Sequence, residues 1–135
     1  MRLSVLLGWL SVALVVIATA PWWLRMLNKH VIKTKDKRFL NFLKFLRPVH
    51  KAAGIALAAL ALYHGYVALG NPFRLHTGTL LYAALFLTAA LGVVFYYKKD
   101  KHAFKGHKVM ALASVVLFFV HLFWRNAIFQ VFGVF

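Results

Sequence analysis

Residues 50–69 read HKAAGIALAALALYHGYVAL and are followed by Gly70. Apart from Lys51 and two histidines, nothing in this run resists transfer into hydrocarbon. At a helical rise of about 1.5 Å per residue, twenty residues cover the roughly 30 Å hydrocarbon core of a bilayer. Three further runs have the same character: Leu3 to Ala20, ending in Pro21-Trp22-Trp23; Leu80 to Tyr97; and His107 to Trp124. All are too long for barrel strands, and none alternates with the period of two that a barrel requires. Backbone polar groups inside lipid must be satisfied within the segment, so helices are expected. The connections around 70–78 and 98–106 are short, which makes neighbouring helices antiparallel. The expected fold class is all-α: an integral membrane four-helix up-down bundle forming one domain over residues 1–135.

The polar residues fall between these runs. Seventeen Lys and Arg stand against two acidic residues, Asp36 and Asp100, for a net charge of +15. Such a charge on a soluble domain suggests nucleic acid. Here nine of the cations lie between Arg25 and Lys51 and five between Lys98 and Lys108, leaving Arg2, Arg74 and Arg125. That distribution follows the positive-inside rule and argues against a nucleic-acid partner. It predicts a multi-pass protein of the cytoplasmic (inner) membrane, with the 25–51 and 98–108 connections inside and both termini outside. Trp22-Trp23, Tyr96-Tyr97 and Trp124 fit aromatic belts. Ala18-Thr19-Ala20 resembles a signal-peptide cleavage site, but Pro21 directly after it is a poor context, and the first segment is expected to be retained. Residues 36–47, DKRFLNFLKFLR, bring Phe39, Leu43 and Leu46 to helical spacing, and Pro48 follows. A short interfacial helix between the first and second spans is expected there, as a connector or as a dock for a partner.

The chain has no cysteine, which removes disulfides, thiolate metal sites, iron–sulfur clusters and covalent haem attachment through C-x-x-C-H. It has seven histidines. His50 and His64 stand fourteen residues apart on the second span, and His107 and His121 fourteen apart on the fourth. Fourteen steps of 100° leave two side chains only about 40° apart around a helix and about 21 Å apart along it. Each pair therefore shares a face, and its two members cannot share one ion. The second and fourth spans run in the same direction, so His50 is expected level with His107, and His64 with His121.

A bare zinc ion wants four ligands, and no Cys, Asp or Glu neighbours these histidines in the sequence. Haem iron brings four nitrogens of its own and needs one or two axial ligands. Two haems, each between two histidines, fit the pattern; such six-coordinate sites suit electron transfer. Histidines that merely bridge helices through hydrogen bonds are the alternative. Gly54, Gly65 and Gly92 are placed either to admit a flat macrocycle or to let helices approach. Arg47, Lys51, Lys105 and Lys108 flank the first level, and Arg74, Arg125 and Asn126 the second. They are candidates for propionate contact, and the lysines and Arg47 equally for topology marking. His30, His76 and His102 fall in connections and are not expected to be ligands; His76 is a candidate for contact with an outer propionate or a quinone.

Two helices each carrying His-x13-His resemble the four-helix core of the cytochrome b subunits of quinol–cytochrome c oxidoreductases. The compact size also resembles small bacterial di-haem cytochromes b and ferric-reductase-like transmembrane cytochromes. The runs His50-Lys51-Ala52-Ala53-Gly54 and Gly106-His107-Lys108-Val109 open the two helices, and the likeness covers about residues 48–125. It implies two non-covalent b haems, an inner one on His50 and His107 and an outer one on His64 and His121. The chain shows no nucleotide- or flavin-binding domain and no quinol-site motif. The donor and acceptor stay open; a quinone and a redox partner subunit are candidates, and the chain is a candidate homo-oligomer. The functional alternatives are an electron conduit, an oxidoreductase acting on quinone, superoxide or ferric ion, and a non-redox scaffold subunit. Both acids lie in basic connections, so neither hydrolase chemistry nor proton pumping through an embedded carboxylate is expected.

Overall fold

A computed structural model describes residues 3–70 and 76–124. Arg2, Arg74, Arg125, Asn126 and the apolar tail 127–135 lie outside the described residues. The described residues form four long helices and no strand: α1 (Leu3–Leu27), α2 (Lys37–Leu69), α3 (Thr77–Lys98) and α4 (Lys101–Phe123). Each helix is long and apolar enough to cross a membrane. The chain is an all-α, multi-pass membrane protein, as its hydropathy predicts.

The helix ends differ from the expectation in an instructive way. Pro21 does not stop α1, which continues to Leu27 and then widens at its exit into one π turn, Asn28–Ile32. Pro48 likewise sits inside α2, so residues 36–47 are not a separate interfacial helix but the first turns of the second span. Proline has no N–H and forfeits the bond to the carbonyl four residues back. At a membrane boundary water and lipid headgroups can satisfy that carbonyl, whereas unwinding the helix would leave several backbone groups without partners in an apolar medium. One lost bond is the smaller cost. In the same way α3 begins at Thr77 rather than Leu80, and α4 at Lys101 rather than His107.

The two carboxylates explain where α2 and α4 start. Asp36 Oδ1 accepts from Arg38 N at 3.0 Å, and the Asp36 carbonyl accepts from Leu40 N at 3.0 Å. Asp100 Oδ1 accepts from His102 N at 2.8 Å, and its carbonyl accepts from Phe104 N at 3.1 Å. Both acids are helix N-caps, with negative charge at the positive end of a helix dipole. The helices before them end on Lys33 and Lys99, both left-handed, whose N–H groups close on Asn28 and Phe95 carbonyls. Asn28 ties down the first reversal, accepting from Thr34 N at 3.0 Å through its side-chain oxygen.

The described residues divide into two compact units within α2, between Leu60 and Ala61. In the first, Leu7, Leu43, Leu46, Ala53 and Leu57 are buried. In the second, α3 and α4 pack directly on each other, and the buried residues are small: Ala84, Ala103, Thr77 and Ser114. Small contact residues let helix backbones approach closely, which is how helices associate where lipid removes the hydrophobic drive. Large apolar side chains point outward instead, among them Ile55, Phe86, Leu112 and Phe119. Lipid, not water, is the solvent for those faces.

Candidate haem-binding histidines

The structure sorts the seven histidines. His30 and His102 are exposed, the first in the π turn and the second in the opening turn of α4. His50, His64, His107 and His121 are all half-buried, His50 in the first unit and the other three in the second.

In the first unit His50 reaches from α2 to α1, where its Nδ1 lies 2.6 Å from the Ala18 carbonyl oxygen. A carbonyl oxygen can only accept, so Nδ1 carries the proton and donates. The lone pair of the neutral ring is then on Nε2. In the second unit His107 reaches from α4 to α3 and donates from Nδ1 to the Thr88 carbonyl at 2.8 Å. Its lone pair is therefore also on Nε2. His121 Nδ1 pairs with the Thr77 hydroxyl at 3.0 Å, where either group can donate. An Nδ1–H bonded to the protein is the arrangement that fixes ring orientation and raises ligand basicity in histidines that bind metal through Nε2.

His76 has the opposite tautomer. It N-caps α3, and its Nδ1 accepts from Gly78 N at 3.2 Å, which leaves the neutral ring's proton on Nε2. That ring stands edge-on to His121, with centroids 5.8 Å apart. His76 therefore presents an N–H rather than a lone pair at Nε2, beside the His121 ring.

Two glycines of α3 seat the α4 rings. A Cβ built on Gly92 would lie 3.0 Å from His107 Nδ1, and one on Gly78 would lie 3.1 Å from His121 Cε1. The glycines are fourteen residues apart on α3, as the histidines are on α4. Because the helices pack antiparallel, the two spacings mesh, and each imidazole lies against bare backbone. For His107 this closeness is what lets Nδ1 reach the Thr88 carbonyl, one turn before Gly92. Midway between the two histidines, Ser114 Oγ lies 3.3 Å from Thr88 Oγ1. Each hydroxyl also has an acceptor four residues back in its own helix, the Ala84 carbonyl for Thr88 and the Met110 carbonyl for Ser114, so one donates to its own helix while the other donates across.

The glycine expectations therefore change. Gly92 faces an imidazole in this structure, and Gly78, which sequence reasoning passed over, does the same. A Cβ on Gly54 or Gly65 would meet nothing within 4 Å, so neither is required by a close helix contact. Arg47 and Lys51 flank His50 in sequence and are exposed; Lys105 and Lys108 flank His107 and are exposed too. Lys108 Nζ lies over the Phe104 ring at 4.7 Å.

Among the described residues no three His, Cys, Asp or Glu side chains gather as a bare metal ion would need. The candidate donors are imidazoles, fourteen residues apart on α2 and fourteen apart on α4. No protein-family model, curated protein or solved structure matches the chain.

Proposed function

We propose that this protein carries electrons across a membrane through two b-type haems, held by His50, His64, His107 and His121. The observation that carries the reading is the hydrogen bonding of His50 and His107. Each gives its Nδ1 proton to a backbone carbonyl of a neighbouring helix and so directs its Nε2 lone pair away from that helix. The pairing into an inner level of His50 with His107 and an outer level of His64 with His121 rests on the twin His-x13-His spacing in the sequence. Haem would supply reversible one-electron chemistry at each level.

The chain's own residues define the rest. The Ala18 and Thr88 carbonyls hold the imidazoles in one tautomer and orientation. Gly78 and Gly92 set how far the α4 rings stand from α3. Lys51, Arg47, Lys105 and Lys108 are the cations nearest the inner level in sequence and are suited to propionates, as are Arg74 and Arg125 at the outer one. Lipid against the outward apolar side chains would keep bulk water from the spans. The asymmetry of charge supports insertion in an inner membrane with both termini outside. The donor would be a quinol or a partner subunit, and the acceptor would stand on the opposite side.

Direct oxidation or reduction of a small molecule at one face belongs to the same chemistry. Turnover by the isolated protein with a quinol and an artificial acceptor would separate it from pure carriage. A scaffold whose histidines only bridge helices is the contrasting reading. The deciding experiment is purification with haem supplied. We expect about two haems per chain and a reducible low-spin bis-histidine spectrum. Stably folded, colourless protein would end the proposal.

A further inference from the structure

Each unit contains the same bond. In the first, His50 Nδ1 on α2 donates to the Ala18 carbonyl of α1 at 2.6 Å; in the second, His107 Nδ1 on α4 donates to the Thr88 carbonyl of α3 at 2.8 Å. Aligning α2 with α4 on these histidines, and α1 with α3 on these carbonyls, matches His64 to His121. It also matches Leu7, Leu46 and Leu57 to Thr77, Ala103 and Ser114, and all of these are buried. The two helix pairs are therefore built on one register, although different residues fill it.

The pairs differ beside the bond itself. Gly92 stands four residues after the Thr88 acceptor, and a Cβ there would lie 3.0 Å from His107 Nδ1. That is closer than side chains ordinarily approach, so bare backbone is a condition of the second bond. The residue four after Ala18 is Trp22. Had α1 followed the course of α3, the Trp22 Cβ would press on the His50 ring in the same way. Instead the His50 bond is the shorter of the two, and Trp22 is 66% exposed. Something in α1 has to supply the room that Gly92 supplies in α3.

The residue before Trp22 is Pro21, where α3 has Leu91. Inside a helix a proline gives no N–H to the carbonyl four residues back, here Ile17, and its ring presses that carbonyl off the helix axis. The turn from Ile17 to Pro21 is opened and the helix bends away. Ala18, the acceptor, lies in that turn. α2 has a proline of its own, Pro48, but the turn it disturbs, residues 44–48, ends before His50.

We propose that Pro21 is a positioning residue for His50. By opening the turn Ile17–Pro21 it brings the Ala18 carbonyl within reach of Nδ1 past Trp22, as Gly92 does for His107 and the Thr88 carbonyl. What this does to a haem rests on the redox reading; the placing of the ring does not.

The test uses the full chain in detergent micelles, labelled with nitrogen-15 histidine and prepared without haem, at pH about 9, where a histidine of ordinary pKa about 6.5 is neutral. Ring nitrogen shifts report which nitrogen carries the proton, and His50→Gln identifies the His50 signals. Wild-type His50 should be mainly the Nδ1–H tautomer. Pro21→Leu gives α1 the residue of α3 and restores a helix N–H, so the fold is not put at risk. It should lower the ratio of Nδ1–H to Nε2–H at His50 roughly five-fold, the contribution of one neutral hydrogen bond. Pro21→Leu with Trp22→Gly copies Leu91-Gly92 into α1 and should return the ratio to the wild-type value. Unchanged His50 signals in Pro21→Leu overturn the assignment, as does a double variant that stays like the single one. If Pro48→Ala moves the signals and Pro21→Leu does not, the room comes from α2 and the assignment is wrong. With haem supplied, the five-fold change in Pro21→Leu converts to a rise of roughly 40 mV in the potential of the His50 level, at about 59 mV per tenfold. Wild type that binds no haem ends the redox reading and leaves the nitrogen signals to decide this one.

Discussion

Replacing Gly92 by alanine tests the redox proposal and the role of α3 together. The new Cβ would lie 3.0 Å from His107 Nδ1 and 3.2 Å from Cε1. Ordinary carbon contacts begin near 3.4 Å, so the ring must retreat by about 0.4 Å. It retreats from the helix whose Thr88 carbonyl it now meets at 2.8 Å. A hydrogen bond stretched by that amount sits at the long edge of the usual range, near 3.2 Å. Such a bond contributes about 1 kcal/mol. The Nδ1–H···O=C bond enriches the imidazole in electrons and favours the more positive iron, so weakening it should raise the reduction potential of that level. With tenfold in an equilibrium constant equal to about 59 mV for one electron, complete loss corresponds to roughly 40 mV, and partial loss to less. Gly78→Ala should likewise displace the His121 ring, through Cε1 at 3.1 Å, and disturb its contact with the Thr77 hydroxyl. The assay is a spectroscopic redox titration, with electron paramagnetic resonance of the oxidised protein to follow ligand-ring orientation. Gly106→Ala is the control, because its Cβ would press only on the tip of Leu91, which can rotate away. Two haems bound at wild-type potentials and with wild-type spectra in both Gly92→Ala and Gly78→Ala would refute the seating argument. Failure to bind haem in the wild type would refute the redox reading itself.

His121→Ala and His64→Ala should each remove the outer haem and keep the inner one, giving a haem-to-protein ratio near one; an unchanged optical spectrum would exclude a ligand role. Ser114→Ala removes one partner of the Thr88 hydroxyl pair between α3 and α4. Polar contacts of this kind between membrane helices contribute about 0.6 kcal/mol, so a small loss in unfolding measurements with an unaltered haem spectrum is expected. Asp100→Ala removes the α4 N-cap and should destabilise the protein by about 1 kcal/mol, whereas Asp100→Asn, which still caps, should cost little. Similar stability of the alanine and asparagine variants would contradict the capping role.

Hydropathy and charge placement sufficed for the four spans, because an apolar run of that length has few other solutions in lipid. The helix ends were less legible. Pro21 and Pro48 read as stops by local rules that compare helix with water-solvated coil, and at a membrane boundary the comparison is with an unsatisfied backbone instead. The histidine pairs were visible because fourteen-residue spacing repeats on two spans. Their supports were not. Ala18 and Thr88 act through backbone carbonyls, and a carbonyl leaves no mark on residue type.

Gly78 and Gly92 are the intermediate case. Their spacing copies that of His107 and His121, so the signal was present, but it carries meaning only once α3 is known to lie antiparallel against α4 in the register that meshes the two spacings. Glycine alone does not say whether it admits a ring, a porphyrin or another helix. The structure answers for α3, where the approaching atoms belong to His107 and His121. It follows that α3, which contributes none of the four candidate ligands, still governs the orientation of two of them. A change of register between α3 and α4 by a single turn would part both glycines from both rings at once, so the two levels should respond together to any perturbation of that helix pair.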